Sequence, residues 1–285
     1  MNQNLKPNTE VTRISRRKFI WGGIGIITAA TAIDSFWYEK FFIELNEFYM
    51  GDAGSSTQNI KVLQVSDLHL RSIRSRHIEL VKLINQINPE LILFTGDVID
   101  NNRNLELLDN FLGMFRPEIQ KTAILGNWEC WKVHPLELLK VYQKHNCELM
   151  VNHSFRYEFG NTSVAISGMD DLSAGNADFN MAMEFYKQST YHVIMTHCPQ
   201  HRDIFQPQIK DIPVDLVLSG HTHGGQVNLL GFAPFRPTGS GRYVSGWYRE
   251  GAPPMYVSRG IGTSVIPLRL GSRAEISIFN FKKIV

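Results

Sequence analysis

Three apolar runs recur in this chain at a fixed interval, and each leads to a residue able to hold a metal ion. Ile60-Lys61-Val62-Leu63-Gln64-Val65-Ser66 leads into Asp67, Leu91-Ile92-Leu93-Phe94 into Thr95-Gly96-Asp97, and Thr122-Ala123-Ile124-Leu125 into Gly126-Asn127. Asp67, Asp97 and Asn127 lie 30 residues apart and then 30 again. Thirty residues is about one strand-plus-helix unit. The stretches between them fit, since Ile78, Leu80, Val81, Leu83, Ile84 and Ile87 have helical spacing and stop before Asn88-Pro89. A second helix is expected over roughly 104–115. Continuous apolar runs suit buried parallel strands. Right-handed crossovers bring the C-terminal ends of such strands to one edge, where open α/β sheets bind ligands. Asp67, Asp97 and Asn127 are therefore expected to line one crevice of an α/β domain.

The second half is richer in strands. A helix is expected over 135–146, strands over 148–152, 155–159 and 163–167, and a helix over 179–188. Tyr191-His192-Val193-Ile194-Met195 reads as a strand ending in Thr196-His197. The run 215–218 leads into Ser219-Gly220-His221-Thr222-His223-Gly224-Gly225. On a glycine-bent loop, imidazoles at i and i+2 can turn toward one point, and imidazole is a common metal ligand. Alone, this run fits a surface turn equally well. Further strands are expected over 226–230, 255–258 and 275–281. Between them, 231–254 carries Phe232, Phe235, Tyr243, Trp247 and Tyr248, and a loop of this length in a compact domain is often functional.

Five blocks now stand in order: Asp67-x-His69, Gly96-Asp97-x-x-Asp100, Gly126-Asn127-x-Glu129, His197 and Gly220-His221-x-His223. Carboxylate, imidazole and neutral amide oxygens around one crevice suit two ions of the Mn, Fe or Zn type. Over roughly 60–285 these blocks resemble the calcineurin-like metallophosphoesterase superfamily. The resemblance implies a four-layer α/β sandwich of two mixed β-sheets flanked by helices. It places Asp67, His69 and His223 at one divalent ion, Asn127, His197 and His221 at the other, and Asp97 between both. It implies phosphodiester or pyrophosphate hydrolysis by a metal-bridging hydroxide that attacks phosphorus in line. Asp97, Asn127, His221 and Asp100 would form the catalytic group.

Trp128 departs from the pattern, because the family's usual residue there is a histidine that protonates the leaving group. Indole is no proton-transfer acid. Either the substrate carries a good leaving group, or His134, His153 or water supplies the proton, or Trp128 stacks on substrate. Asp100 is then expected to accept from the indole N–H. A non-catalytic envelope metal-binding protein using the same pocket is the alternative that Trp128 leaves open. The run 257–264 with Arg269, Arg273 and Glu275 resembles an exported, membrane-associated bacterial subgroup (YkuE/YaeI-like), which implies a UDP-2,3-diacylglucosamine-like or lipid-linked substrate. Arg259, Arg269 and Arg273 are expected to grip phosphate oxygens, to pair with Glu275, or to be solvated.

The N-terminus reads as an address. Ser15-Arg16-Arg17-Lys18-Phe19 precedes the apolar stretch 20–33, which resembles a twin-arginine export signal and is shorter than a spanning helix. Ala30-Thr31-Ala32 offers a cleavage site, whereas Phe36, Trp37, Tyr38, Phe41, Phe42 and Ile43 suit an uncut interfacial anchor. The division is then 1–33 signal or anchor, 34–59 linker with a short strand near 43–49, and 60–285 catalytic domain. The expected location is the outer face of the bacterial cytoplasmic membrane or the cell wall. Charge is uneven: five of 29 basic residues and one of 27 acidic ones lie in residues 1–20, leaving 24 basic against 26 acidic. The body thus lacks the basic excess of a nucleic-acid binder. Three cysteines are too few for a disulfide framework, although one pair is possible after export.

Overall fold

The apolar runs become strands whose side chains divide between two interfaces. In this computed structural model, residues 15–34, 42–51, 58–209, 211–229, 231–251, 253–265 and 267–284 are described. Along the chain come α1 (Arg16–Ile33), β1 (Glu44–Tyr49), β2 (Asn59–Val65), α2 (Ser75–Ile87), β3 (Leu91–Thr95), α3 (Leu105–Leu112) and β4 (Gln120–Ile124). Next are α4 (Asn127–Lys132), α5 (Pro135–Lys144), β5 (Cys147–Met150), β6 (His153–Phe159), β7 (Thr162–Gly168) and α6 (Phe179–Glu184). The chain closes with β8 (Tyr191–Met195), α7 (His201–Phe205), β9 (Leu216–Ser219), β10 (Gly246–Tyr248), β11 (Met255–Val257) and β12 (Glu275–Lys282).

The first sheet has the order β1-β12-β2-β3-β4-β5 and the second β10-β11-β9-β8-β7-β6. Strands β2 to β5 are parallel, as are β7, β8, β9 and β11. Both sheets are mixed, since β12 runs antiparallel to β2, β10 to β11, and β6 to β7. Residues two apart in a strand share a face. Ile60, Val62 and Leu93 therefore meet Val193, Met195 and Leu218 between the sheets. Leu63, Val65 and Phe94 turn the other way, onto Leu80, Leu108 and Phe111 of the helices. Ile194 and Val217 cover the outer face of the second sheet with Phe179 and Phe205. The result is the helix–sheet–sheet–helix sandwich that the resemblance implies. Polar groups cross the apolar gap as well: Thr122 is bonded to Tyr157 at 2.6 Å, and Gln64 Nε2 donates to Thr95 Oγ1 and to the Ser219 carbonyl, each at 3.0 Å. Gln64 fastens the two sheets together just where their strands end.

Several local expectations change. The strand expected over 226–230 is reduced to single bridges, Val227 with Leu270 and Leu229 with Phe232. Gly224, Gly225 and Gln226 all take positive φ (61°, 80° and 56°), so the chain curls instead of extending. A short helix, α4, follows Gly126 because Glu129 reaches back to the Gly126 N–H at 3.0 Å, a capping interaction. Strand β1 joins the first sheet beside β12. The three cysteines are unpaired. The stretch 20–33 lies on α1, and no helix among the described residues is long and apolar enough to cross a membrane. Phe36, Trp37, Tyr38 and Phe41 lie outside the described residues.

Candidate metal centre

Because β2, β3, β4, β8 and β9 point the same way across two packed sheets, their C-terminal ends meet at one rim. Asp67 and His69 follow β2, Asp97 follows β3, Asn127 opens α4 after β4, His197 follows β8, and His221 and His223 follow β9. All seven expected ligands are brought together and buried. Five of them, Asp67, His69, Asp97, His221 and His223, hold positive φ between 44° and 73°. Such backbone costs of order 1–3 kcal/mol per residue and gathers at functional sites. Glycines allow the close approach: a Cβ on Gly126 would sit 2.2 Å from Asp97 Oδ1, and one on Gly220 would sit 2.4 Å from Asp67 Oδ2.

Two groups of side chains have the separation that one ion requires: Asp67, His69 and His223, and Asp67, Asp97 and His197. His69 Nε2 lies 3.1 Å from His223 Nε2. Two ligands about 2.1 Å from one ion and roughly at right angles lie about that far apart. Asp97 Oδ2 stands between the groups, 3.3 Å from His197 Nε2 and 3.7 Å from His69 Nε2, as a shared ligand must. Asp67 is near both groups as well, which the sequence reading did not foresee.

Hydrogen bonds fix which ring nitrogen each histidine keeps free. His197 Nδ1–H donates to the Thr95 carbonyl at 2.8 Å, His221 Nε2–H to the Thr238 carbonyl at 2.8 Å, and His69 Nδ1–H to Asp100 Oδ1 at 2.5 Å. A carbonyl or carboxylate can only accept, so the opposite nitrogen of each ring carries the lone pair. The buried His197 Nε2 and Asn127 Oδ1 have no hydrogen-bond partner among the described residues. Buried polar atoms rarely go unpaired. Here two of them, with the facing nitrogens of His69 and His223, fit a pair of cations. Asp67 and Asp97 give the ligand set a charge of −2, so two divalent ions would leave it positive and attractive to a phosphate.

The site is also braced. Glu129, buried, accepts the N–H groups of Asp97, Val98, Ile99 and Gly126 at 2.6–3.0 Å. Burial, reinforced by the Asp97 charge, pushes its carboxyl up to about 7. Burial works against the charge on Asp97, but His197 outweighs it and holds that carboxyl low. Burial likewise opposes protonation of His69, yet Asp100, Asp97 and Asp67 raise it. His223 is driven well down by burial and by neighbouring His69.

Asp100 does not meet the Trp128 indole, as the sequence reading expected. It is taken by His69 and by the Arg71 guanidinium, and Arg71 Nη2 in turn donates to the Ser264 carbonyl at 3.0 Å. It is thus a buttress behind a ligand and not a group facing substrate. Arg269 is corrected too: it is fully buried, and its guanidinium is spent on the carbonyls of Gly260, Gly262 and Ser272. Arg259 is paired with Glu275 and with Glu44, the second alternative left open above. Neither arginine lines the cavity that opens over the ligands.

That cavity, about 700 Å³, has Asp97, Asn127, His221 and His223 among its lining residues. Trp128 lines it as expected, joined by Trp131, Phe235 and Val265 in an apolar wall. The Trp128 ring stands edge-on to His69, with centroids 6.1 Å apart, and its backbone N–H donates to Asp97 Oδ1. His134 and His153 do not line it. Among its described lining residues the ionisable groups are Asp97, His221, His223 and Arg236. Buried Arg202 went unnoticed in the sequence; it fastens the long loop through the carbonyls of Tyr248 and Glu250 and the Tyr243 hydroxyl. Its position, just past His197, carries no signal of that role. Glu129 was singled out only as part of the third block, and the Gly-x-x-Glu spacing of a capped helix is the signal that could have shown its bracing role.

Comparison with known proteins agrees with this geometry. Residues 60–225 match the calcineurin-like phosphoesterase family. The uncharacterized metallophosphoesterase YkuE of Bacillus subtilis is 30% identical over 293 residues, covering 95% of this chain and 98% of that protein. An uncharacterized metallophosphoesterase of Aquifex aeolicus is 31% identical over 258 residues, covering 86% and 91%. The phosphodiesterase YaeI of Escherichia coli is 28% identical over 281 residues, covering 93% and 98%.

Proposed function

This chain belongs to the calcineurin-like phosphoesterase family, and we propose that it is a two-metal phosphodiesterase or pyrophosphohydrolase acting on a substrate with an apolar, lipid-like part. It is a metal-dependent phosphoester hydrolase. The observation that carries the proposal is the convergence of seven candidate ligands on one rim, four of them lining the cavity, with the lone pairs of His197 and Asn127 left unused among them. Asp67, His69 and His223 would hold one ion, Asn127, His197 and His221 the other, and Asp97 both. Bound divalent ions at such a site supply a water acidified enough to attack near neutral pH, and they offset charge on the phosphoryl oxygens.

The chain's own groups do the rest. Asp100, the Thr95 carbonyl and the Thr238 carbonyl hold three imidazoles in the tautomer that offers a lone pair inward. Glu129 holds the Asp97 and Gly126 loops in register. The Trp128, Trp131, Phe235 and Val265 wall excludes water from one side and favours a substrate with an apolar substituent. Arg236 is the lining cation that is not beside a ligand, and it suits an anionic substrate. No proton donor for a leaving group stands beside the ligands among the described lining residues, which favours substrates with acidic leaving groups. The likeness to the E. coli phosphodiesterase supports a diester substrate.

We place the enzyme at the outer face of the cytoplasmic membrane. The paired Arg16 and Arg17 ahead of the apolar stretch 20–33 support twin-arginine export, with the signal either cut or kept.

Hydrolysis of bis-p-nitrophenyl phosphate with added Mn²⁺ tests the function. Turnover is expected, lost with a chelator and in His223→Ala. Without acid assistance, alkyl diesters should react about 10²–10⁴-fold more slowly than aryl diesters. A wild-type protein with both ions bound and no turnover on any phosphoester would refute the proposal.

A further inference from the structure

The residues around the cavity mouth are unusual for a surface in water. Trp131, Phe235 and Val265 line the cavity yet are 59%, 72% and 82% exposed. Phe232 and Leu229, on the same curled segment as Phe235, are 68% and 53% exposed. Clustered exposed apolar residues mark a contact surface. Cations accompany them. Exposed Lys132 lies 4.6 Å from the Trp128 ring centroid, and exposed Arg236 donates to the Gly241 carbonyl beside exposed Arg242. Between residues 216 and 249 the sequence holds Arg236, Arg242 and Arg249 and no carboxylate, and the acidic groups near Arg242 are Asp203, which accepts from the Tyr243 hydroxyl, and Glu250. The body's overall formal charge of −2 therefore hides a basic, aromatic face at the active-site end.

We propose that this mouth is a docking surface for an anionic lipid bilayer, so that the cavity takes its substrate from the membrane itself. Aromatic and aliphatic tips enter the interfacial region while nearby arginine and lysine meet anionic headgroups, the pairing that interfacial binding uses. The charge is what selects this occupant, since a purely apolar rim would serve a protein partner as well. The docking face is built from residues outside α1, so it contributes whether or not the N-terminal segment also touches the membrane. The inference rests on the phosphoesterase reading only in taking the cavity as the active site.

Hydrogen exchange of the full chain tests it directly, with and without vesicles of equal parts phosphatidylglycerol and phosphatidylcholine. The vesicles should slow exchange at 231–236 and 261–265, and leave the β6–β7 turn near Gly160, at the opposite edge, unchanged. A Leu229→Ser/Phe232→Ser variant should bind the vesicles at least about tenfold more weakly. Each of Arg236→Gln and Arg242→Gln should weaken binding about fivefold. The N-terminal segment is common to all these proteins, so its contribution cancels. Hydrolysis of soluble bis-p-nitrophenyl phosphate by the Leu229/Phe232 variant should match wild type. Unchanged exchange at the mouth while the protein binds vesicles overturns the proposal. So does slowed exchange there without lipid as protein concentration rises, which would make the face a contact between two copies. Loss of soluble diester hydrolysis in the wild type strikes the phosphoesterase reading instead.

Discussion

At His69 one ring nitrogen is given to Asp100 and the other is left for an ion, so a single hydrogen bond sets the ligand's orientation and basicity. Asp100→Asn keeps the shape and removes the charge. It should weaken one of the two metal-binding steps about 10–100-fold in a calorimetric titration, with turnover largely recovered at saturating metal. A fall in turnover with metal affinity unchanged would instead return Asp100 to the leaving group. The seven candidate ligands were legible as a set, since each follows an apolar run that reads as a strand and the five blocks together resemble the family's pattern. Asp100's true partner was not legible. His69 and Asp100 are 31 residues apart, and only the packing of β2 beside β3 sets one against the other. Trp128 was legible as a departure from the family pattern, and its place beside Trp131 and Phe235 gives that departure a use as an apolar wall.

Among the elements, the parallel strands were legible because buried strands need unbroken apolar runs. The connections that shape the site were harder to read. The sequence around 226–230 alternates like a strand, yet three successive positive-φ residues override that pattern. The loop 258–274 shows the same limit. Arg269 looked like a phosphate contact, and it is instead the buried hub of a loop whose Gly260 lies against Asp67, where a Cβ on Gly260 would come within 2.6 Å. Arg269→Met would remove the guanidinium donor from the carbonyls of Gly260, Gly262 and Ser272, of which Gly260 keeps the Glu275 N–H. Unsatisfied buried groups cost about 1–3 kcal/mol each. A loss of about 3–5 kcal/mol in denaturant unfolding is expected, far more than a surface arginine would give. A loss below about 1 kcal/mol would place Arg269 outside the structural role assigned to it.

For the molecule as a whole, the two sheets are held by apolar packing that carries few charges, but three histidines are buried within it or beside it. Burial lowers His77, His192 and His201 to about 4 from the ordinary 6.5. His192 donates from Nδ1 to the Pro213 carbonyl and is bonded to Ser167, and His201 is bonded to Thr196, so both are accommodated uncharged. At these three histidines the unfolded chain binds more protons than the folded one between pH 6.5 and 4, so their contribution to stability falls as pH drops through that window, while the raised Glu129, His69 and His197 act in the opposite sense. The loss is on the order of a few kcal/mol in total, measurable by urea unfolding at pH 7 and at pH 4.5 in chelator, so that metal release does not contribute. A pH dependence of stability that is the same in a His192→Gln variant as in the wild type would contradict the buried, neutral assignment of His192. At this scale the account comes down to the proposal of two ions at one site, with His221 serving one and His223 the other. Metal content of protein loaded with Mn²⁺ and freed of excess tests this most directly. Wild type should hold two ions per chain, and His221→Ala and His223→Ala one each, from different halves of the site. A wild type with one ion or none, or variants that both keep two, would contradict it.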